Sequence, residues 1–313
     1  MIVIHTGKRA VLTVLLSAAV PGVLFLIFPS EIRAAALTAL RLCGEKLIPA
    51  LFPFLVLTAL WRKASPAPPR RPLLTVPLVG MLAGAPVGAE LTGGLYRSGA
   101  IGKRTASSLL FLADTPSPAF LVLAVGEGML GDRGIGWKLF FANTLAAFLI
   151  GGAFFLAGGK QKKTKKDVSE PATVFTLPNR EAAPRRQEAT PAPFRLLPAI
   201  SASIAEGALA MLKISGAVVF FGTLSGLPVP SAVGKAILAM LTEITGGCAA
   251  CAAFGGEPGL LLTAAAIGFS GLSVAAQVGL SAEGIPMGRY FLGKVLSAFL
   301  TPMIFGIFLH FPI

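Results

Sequence analysis

Acidic side chains occur inside apolar stretches of this chain, where an ionised group is most costly. Glu90, Asp114 and Glu243 each lie within a run apolar enough to enter a membrane. An ionisable residue in such a run is expensive unless it is paired, protonated or facing water, so it marks a candidate solute or ion pathway. These carboxylates could carry a coupling proton or coordinate Na⁺, and each could instead be a helix cap or a packing contact.

Prolines beside one of these carboxylates predict a break in its helix. The run LLFLADTPSPAFLV (109–122) contains Pro116 and Pro118, which cannot donate backbone hydrogen bonds. Irregular backbone at membrane depth is tolerated only where it is buried in protein or lines a watery cavity. The helix after the break starts with free N–H groups, which favour anions. Ser117 is predicted to cap that helix, and Ser270 or Ser273 to cap its counterpart near the C-terminus.

We predict that a solute binds where these breaks meet. Glycines at hairpin tips allow close approach of the backbone to a solute, and hydroxyl and amide groups offer hydrogen bonds. The predicted solute-binding residues are Gly84, Gly88, Glu90, Asp114, Thr115, Ser117, Glu243, Thr245, Gly246, Ser270, Ser273 and Gln277.

The composition places these elements in a membrane. Of 313 residues, 54% are hydrophobic and 13% are charged, whereas soluble proteins have about 45–50% and about 25%. The net charge of +13 lies in short loops and one linker, as the positive-inside rule expects, so a nucleic-acid partner is not expected. The expected partners are the lipid bilayer and a small-molecule solute. Assembly into a homo-oligomer is a further possibility.

The apolar runs divide the chain into four parts. Residues 1–30 are predicted to be an N-terminal transmembrane helix with its N-terminus in the cytoplasm. Residues 31–158 form a first repeat, 159–194 a basic, proline-rich cytoplasmic linker, and 195–313 a second repeat. Basic loops flank the glycine-rich segment 73–96 on both sides, which predicts a re-entrant hairpin with its tip near Gly84–Gly88.

The second repeat presents the same order of elements as the first. KISGAVVFFGTLSGL (213–227) aligns with KLIPALFPFLVLTAL (46–60), and RYFLGKVLSAFL (289–300) aligns with KLFFANTLAAFL (138–149). A second glycine-rich hairpin, AMLTEITGGCAACAAFGG, and a second broken helix, AAAIGFSGLSVAAQVGL, lie between them.

The basic residues in the loops predict that the two repeats have opposite orientations in the membrane. Seven basic residues flank the first hairpin, whereas the stretch 228–257 carries only Lys235, so the second hairpin is predicted to enter from the other side. The expected fold is an all-α integral membrane protein. It has about seven transmembrane helices plus two re-entrant hairpins, in two inverted repeats that each contain a broken helix. This pattern is typical of secondary transporters.

Several motifs resemble a known family. PALFPF, GAPVGAELTGGLY, LADTPSPAF, TEITGG and GFSGLSVAAQ, followed by a basic-aromatic helix, resemble the YlbJ (SpoVV) sporulation integral membrane proteins. That family carries the nucleoside-recognition Gate domain, which it shares more distantly with concentrative nucleoside transporters. The resemblance implies two Gate-like repeats whose hairpin tips and broken helices meet at the substrate. It also implies that the chain lies in a bacterial cell or forespore membrane and moves dipicolinate across a forespore membrane during sporulation.

These observations favour a secondary transporter of a small planar anionic solute that works by alternating access. The alternatives are a non-transporting Gate-type membrane scaffold needed for spore maturation and a transporter of a nucleoside-like solute. We expect no enzyme, because the sequence lacks an HExxH motif, a GxSxG elbow and a P-loop. We expect no cofactor beyond a coupling proton or Na⁺, and no metal site. Cys248 and Cys251 form a CxxC without nearby histidines and are expected to be small buried residues.

Overall fold

The computed structural model describes residues 19–64, 72–84, 87–157 and 195–310. These ranges fold into helices joined by short turns, and they contain no β-strand. The predicted linker 159–194 and most of the first predicted helix lie outside the described residues. Residues 19–27 are helical, and a bend at Phe28 leads into the next helix.

The described part of the first half contains four units in sequence. They are long helix 1 (Pro29–Ala64), hairpin 1 (Pro72–Ala83 and Val87–Arg97), broken helix 1 (Lys103–Ala113 and Ala119–Leu130) and closing helix 1 (Arg133–Leu156). Long helix 1 includes one π-helical turn, Cys43–Leu47. This turn ends two residues before Pro49, whose ring nitrogen cannot donate to the Glu45 carbonyl. The segment Ala119–Leu130 also has π-type hydrogen bonding.

The second half repeats this order. It contains long helix 2 (Leu196–Leu224), hairpin 2 (Ala232–Thr242 and Ile244–Ala252), broken helix 2 (Gly256–Phe269 and Gly271–Ser281) and closing helix 2 (Gly288–Leu309). The succession of long helix, hairpin, broken helix and closing helix is therefore present in both halves.

Several of these helices can cross a membrane. Five described stretches are long and apolar enough: Pro29–Ala64, Arg133–Leu156, Leu196–Leu224, Gly256–Ser281 and Gly288–Leu309. They expose large apolar side chains such as Leu212, Phe299 and Met303, which suits a surface that contacts lipid. The prediction of an all-α integral membrane protein is confirmed. Broken helix 1 consists of segments of 11 and 12 residues, each too short to span a bilayer alone.

The two long helices pack antiparallel, and so do the two closing helices. Gly222 of long helix 2 lies against Ala39 of long helix 1, whereas the earlier Gly207 lies against the later Val56. The closing helices show the same relation. Lys138 donates to the carbonyl of Leu309, and Asn143 accepts a hydrogen bond from Thr301.

Two glycines allow the polypeptide to approach closely where closing helix 2 crosses the broken helices. A Cβ at Gly293 would lie 2.5 Å from the Phe111 ring of broken helix 1. A Cβ at Gly268 of broken helix 2 would lie 2.3 Å from the carbonyl oxygen of Ser297. Real side chains do not tolerate such distances, so glycine is required at both crossings. Closing helix 2 is thereby held against both broken helices.

Candidate solute-binding site

A partly enclosed cavity of about 80 Å³ lies where the hairpins and the broken helices are interrupted. One water molecule needs about 10–15 Å³ of such space, so the cavity has room for several. Eight of the twelve residues predicted to bind a solute line it. They are Gly84, Asp114, Ser117, Glu243, Thr245, Ser270, Ser273 and Gln277. Polar residues from both halves of the chain therefore meet at one place.

The rest of the cavity lining is mostly apolar and comes largely from the two long helices. These side chains include Leu47, Leu51, Phe54, Leu55, Ile214 and Val218. Small-molecule sites typically combine an apolar lining with a few placed polar groups. The cavity therefore has the mixed apolar and polar lining of a small-molecule site.

Broken helix 1 is interrupted where the sequence predicted. Its first segment ends at Ala113, and the next regular segment starts at Ala119, after the two prolines. The Ser117 hydroxyl accepts a hydrogen bond from the Phe120 N–H at 3.3 Å, so the predicted cap is confirmed. Asp114 is buried within the break, at 1% exposure.

Broken helix 2 is interrupted at Ser270, which adopts φ +68° and is followed by Gly271 at φ +78°. A left-handed backbone is uncommon outside glycine, and such residues concentrate at functional sites. The predicted capping by Ser270 or Ser273 is wrong. The Ser270 hydroxyl donates back to the Ile267 carbonyl at 3.1 Å, and Ser273 is placed to accept from Gln277 at 3.5 Å. The left-handed turn at Ser270, without a side-chain cap, starts the second segment.

Hairpin 2 turns at Glu243, which lies in extended conformation between its two helices. One carboxylate oxygen accepts from the Gly246 N–H at 2.7 Å, and the other accepts from the Thr245 hydroxyl at 3.0 Å. The side chain is buried, and no basic group of the described residues lies within ion-pair distance of it. Glu243 is thus both a helix cap and a cavity-lining carboxylate that has no counter-cation in the described part of the chain.

Gly88 and Glu90 of hairpin 1 are not part of the cavity lining. Gly88 packs on broken helix 1, where a Cβ would lie 2.0 Å from the Ala113 carbonyl oxygen. Glu90 lies 3.9 Å from the Arg62 guanidinium, which also pairs with Glu206 of long helix 2. These two positions connect hairpin 1 to its neighbours instead of facing a solute.

Thr115 and Gly246 are the other two predicted residues outside the lining. Thr115 is buried, and its hydroxyl has no hydrogen-bond partner among the described residues. Gly246 supplies the backbone N–H that Glu243 caps. Both lie beside cavity residues in sequence, but their own atoms do not form the lining.

The sequence interpretation missed two residues of closing helix 2 that hold the breaks together. Lys294 is 5% exposed, and its ammonium lies 3.2 Å from the Asp114 carboxylate. It also donates to the Asp114 carbonyl at 2.7 Å and to the Ser270 hydroxyl at 2.9 Å. The Tyr290 hydroxyl donates to the same carboxylate at 2.8 Å. A lysine inside the apolar run RYFLGKVLSAFL was the available signal, since ionisable residues in membrane helices are rare.

The structure offers no metal centre among the described residues, where no group of three or more potential ligands from His, Cys, Asp and Glu occurs. Cys248 and Cys251 are free and buried, as expected from their small size and apolar surroundings.

Comparison with known proteins yields one curated relative. The sporulation integral membrane protein YlbJ of Bacillus subtilis (strain 168) is 26% identical over 315 aligned positions, which cover 86% of this chain and 75% of the relative. No family model matches the chain, and no solved structure matches it. The alignment agrees with the resemblance inferred from the motifs, and the chain is accordingly a relative of the sporulation integral membrane protein YlbJ.

Proposed function

We propose that this protein is a secondary transporter of a small planar anionic solute. By its resemblance to the YlbJ proteins, that solute is dipicolinate, moved across a forespore membrane during sporulation. The observation that carries the proposal is the convergence of four helix interruptions, with their polar side chains, on one cavity inside an apolar protein. A membrane scaffold does not need such a cavity, and broken helices around a central site are typical of transporters.

Alternating access follows if the two halves are inverted repeats. The same order of units in both halves supports this relation, as does the antiparallel packing of the long helices and of the closing helices. The difference in the number of basic residues around the two hairpins supports it independently. In this proposal the solute binds between two equivalent halves, and each half opens the cavity to one side of the membrane.

Because the charged residues that line the cavity are acidic, an anionic solute is expected to bind together with a cation. Its charged lining residues are Asp114 and Glu243, both acidic, and Lys294 neutralises only the first. An anionic group about 4 Å from an ionised Glu243 would be repelled by about 4 kcal/mol at an effective dielectric constant of 20. A proton on Glu243 removes this repulsion. We therefore propose that an anionic solute and a proton bind together.

A nucleoside-like solute is the second candidate, because the cavity lining contains no basic side chain among the described residues. Hydroxyl, amide and carboxylate groups, provided by Ser117, Thr245, Gln277 and Glu243, could bind a neutral ring with hydroxyl substituents. This solute would experience no repulsion from an ionised Glu243, so its binding would not require a proton.

Uptake into liposomes that contain the purified protein tests both candidates. With an inward gradient of one pH unit and the membrane potential held at zero, we expect radiolabelled dipicolinate to reach about ten times its outside concentration, because one pH unit supports about a tenfold gradient of a solute coupled to one proton. Protein-free liposomes should show no accumulation. A nucleoside in the same assay, with and without the gradient, distinguishes the second candidate.

The Lys235→Ala variant is the matched control, because this exposed lysine lies on hairpin 2 outside the cavity lining. It should transport like the wild type. If neither solute moves and a stable, monodisperse protein is present in the liposomes, the transport proposal fails and the membrane scaffold is favoured.

A further inference from the structure

The buried ammonium of Lys294 has the surroundings of a bound monovalent cation. Three oxygen atoms surround its Nζ: the Asp114 carbonyl oxygen at 2.7 Å, the Ser270 hydroxyl at 2.9 Å and the Asp114 carboxylate at 3.2 Å. The Tyr290 and Phe111 rings lie with centroids 5.3 and 6.0 Å from the same nitrogen. Carbonyl, hydroxyl and carboxylate oxygens are typical ligands of hard cations, and aromatic rings within about 6 Å attract a cation further.

The oxygen ligands come from the interruptions of both broken helices. Asp114 lies directly after the first segment of broken helix 1, and Ser270 occupies the left-handed turn of broken helix 2. Lys294 reaches them from closing helix 2, which can approach because Gly293 and Gly268 leave no side chain at the two crossings. The positive charge of Lys294 therefore contacts both breaks at once. It lies beside the cavity that Asp114 and Ser270 line.

We propose that the Lys294 ammonium is a tethered cation that fills a monovalent-cation site between the two helix breaks. The protein carries its own positive charge at this position, so the breaks need no dissolved Na⁺ or K⁺ to hold them together. Lys294 is a positioning residue in this assignment, because it does not line the cavity. One consequence rests on the proposed transport function: transport is not coupled to a metal cation at this site.

The thermal stability of Lys294→Ala in different salts tests the assignment without any measurement of transport. The purified variant is heated in about 150 mM ammonium, potassium, sodium or choline chloride, which have equal ionic strength. Choline is too large to enter the space that the lysine side chain leaves. We expect the small cations to raise the Tm of the variant by at least about 2 °C over choline, because they bind only the folded protein. The wild type should give the same Tm in all four salts.

Two further variants make the result specific. Asp114→Asn combined with Lys294→Ala removes the carboxylate, so the difference between the small cations and choline should disappear. Arg289→Ala, five residues earlier on the same helix, removes a basic group that instead contacts Ser108 and the Arg104 carbonyl. This variant should show no difference among the salts.

An equal Tm of Lys294→Ala in all four salts would overturn the assignment. If that variant does not fold, Lys294→Ser provides the same comparison, because its short side chain also leaves the position of the ammonium empty. Failure of both variants to fold in every salt would also overturn it, since a dissolved cation would then not replace the ammonium. Because the readout is stability, this result is independent of whether dipicolinate or a nucleoside is transported.

Discussion

Replacing Asp114 with alanine is expected to lower the free energy of unfolding by about 3–5 kcal/mol. Removal of one partner of a buried ion pair leaves the other charge uncompensated, and such changes cost about this much. Here the Lys294 ammonium would lose its counter-charge, and the Tyr290 hydroxyl would lose its acceptor. A protein of this size should show a fall in Tm of about 5–15 °C, measured by thermal unfolding of the purified protein in detergent.

The double variant Asp114→Ala, Lys294→Met separates the cost of an unpaired charge from the cost of altered packing. It removes both charges and should recover most of the lost stability. Asp132→Ala is the matched control, because this exposed aspartate only caps closing helix 1 through the Gly134 and Ile135 N–H groups. Its expected cost is about 1 kcal/mol. If Asp114→Ala costs no more than this control, the buried pair does not hold the breaks together.

Replacing Glu243 with glutamine is expected to abolish proton-driven accumulation while the protein stays folded and still binds its solute. The amide resembles a permanently protonated carboxyl group, so it lacks the charge that repels an anion but cannot release a proton. Its carbonyl oxygen can still accept from the Gly246 N–H and maintain the cap of hairpin 2. With a gradient of one pH unit, accumulation should fall about tenfold, to equal concentrations inside and outside, which corresponds to about 1.4 kcal/mol.

Exchange of labelled for unlabelled solute, measured without a gradient, should persist in Glu243→Gln. Exchange needs binding and reorientation but no net proton movement. Glu257→Gln, at an exposed position near the start of broken helix 2, is the control and should retain both activities. Full gradient-driven accumulation by Glu243→Gln would show that this carboxylate does not carry the coupling proton.

The sequence predicted the interruption of broken helix 1 because the cause is local. Pro116 and Pro118 remove backbone donors within an apolar run, and this consequence requires no knowledge of distant contacts. The acidic part of the cavity lining was predicted for a related reason: an isolated carboxylate such as Glu243 is costly in an apolar segment unless it has a function. The turn at Ser270 was placed in the correct segment, but its left-handed conformation depends on how Gly271 packs against Glu243.

The remaining features depend on tertiary contacts that local patterns do not encode. Lys294 was missed because its partner Asp114 is 180 positions away, and periodicity does not show which helices meet. Gly88 was expected to approach a solute, whereas it accommodates the Ala113 carbonyl. A glycine in a hairpin indicates that another group approaches its backbone closely, but that group can be either protein or ligand.

We propose that the broken helices and hairpins place one solute site between the two halves of the chain. Its most direct test is an experimental structure of the protein saturated with the solute that the uptake assay identifies. We predict solute density in the cavity, in contact with Ser117 of broken helix 1 and with Thr245 and Gln277 of the second half. Solute bound elsewhere, with this cavity filled by side chains or water alone, would contradict the proposed site.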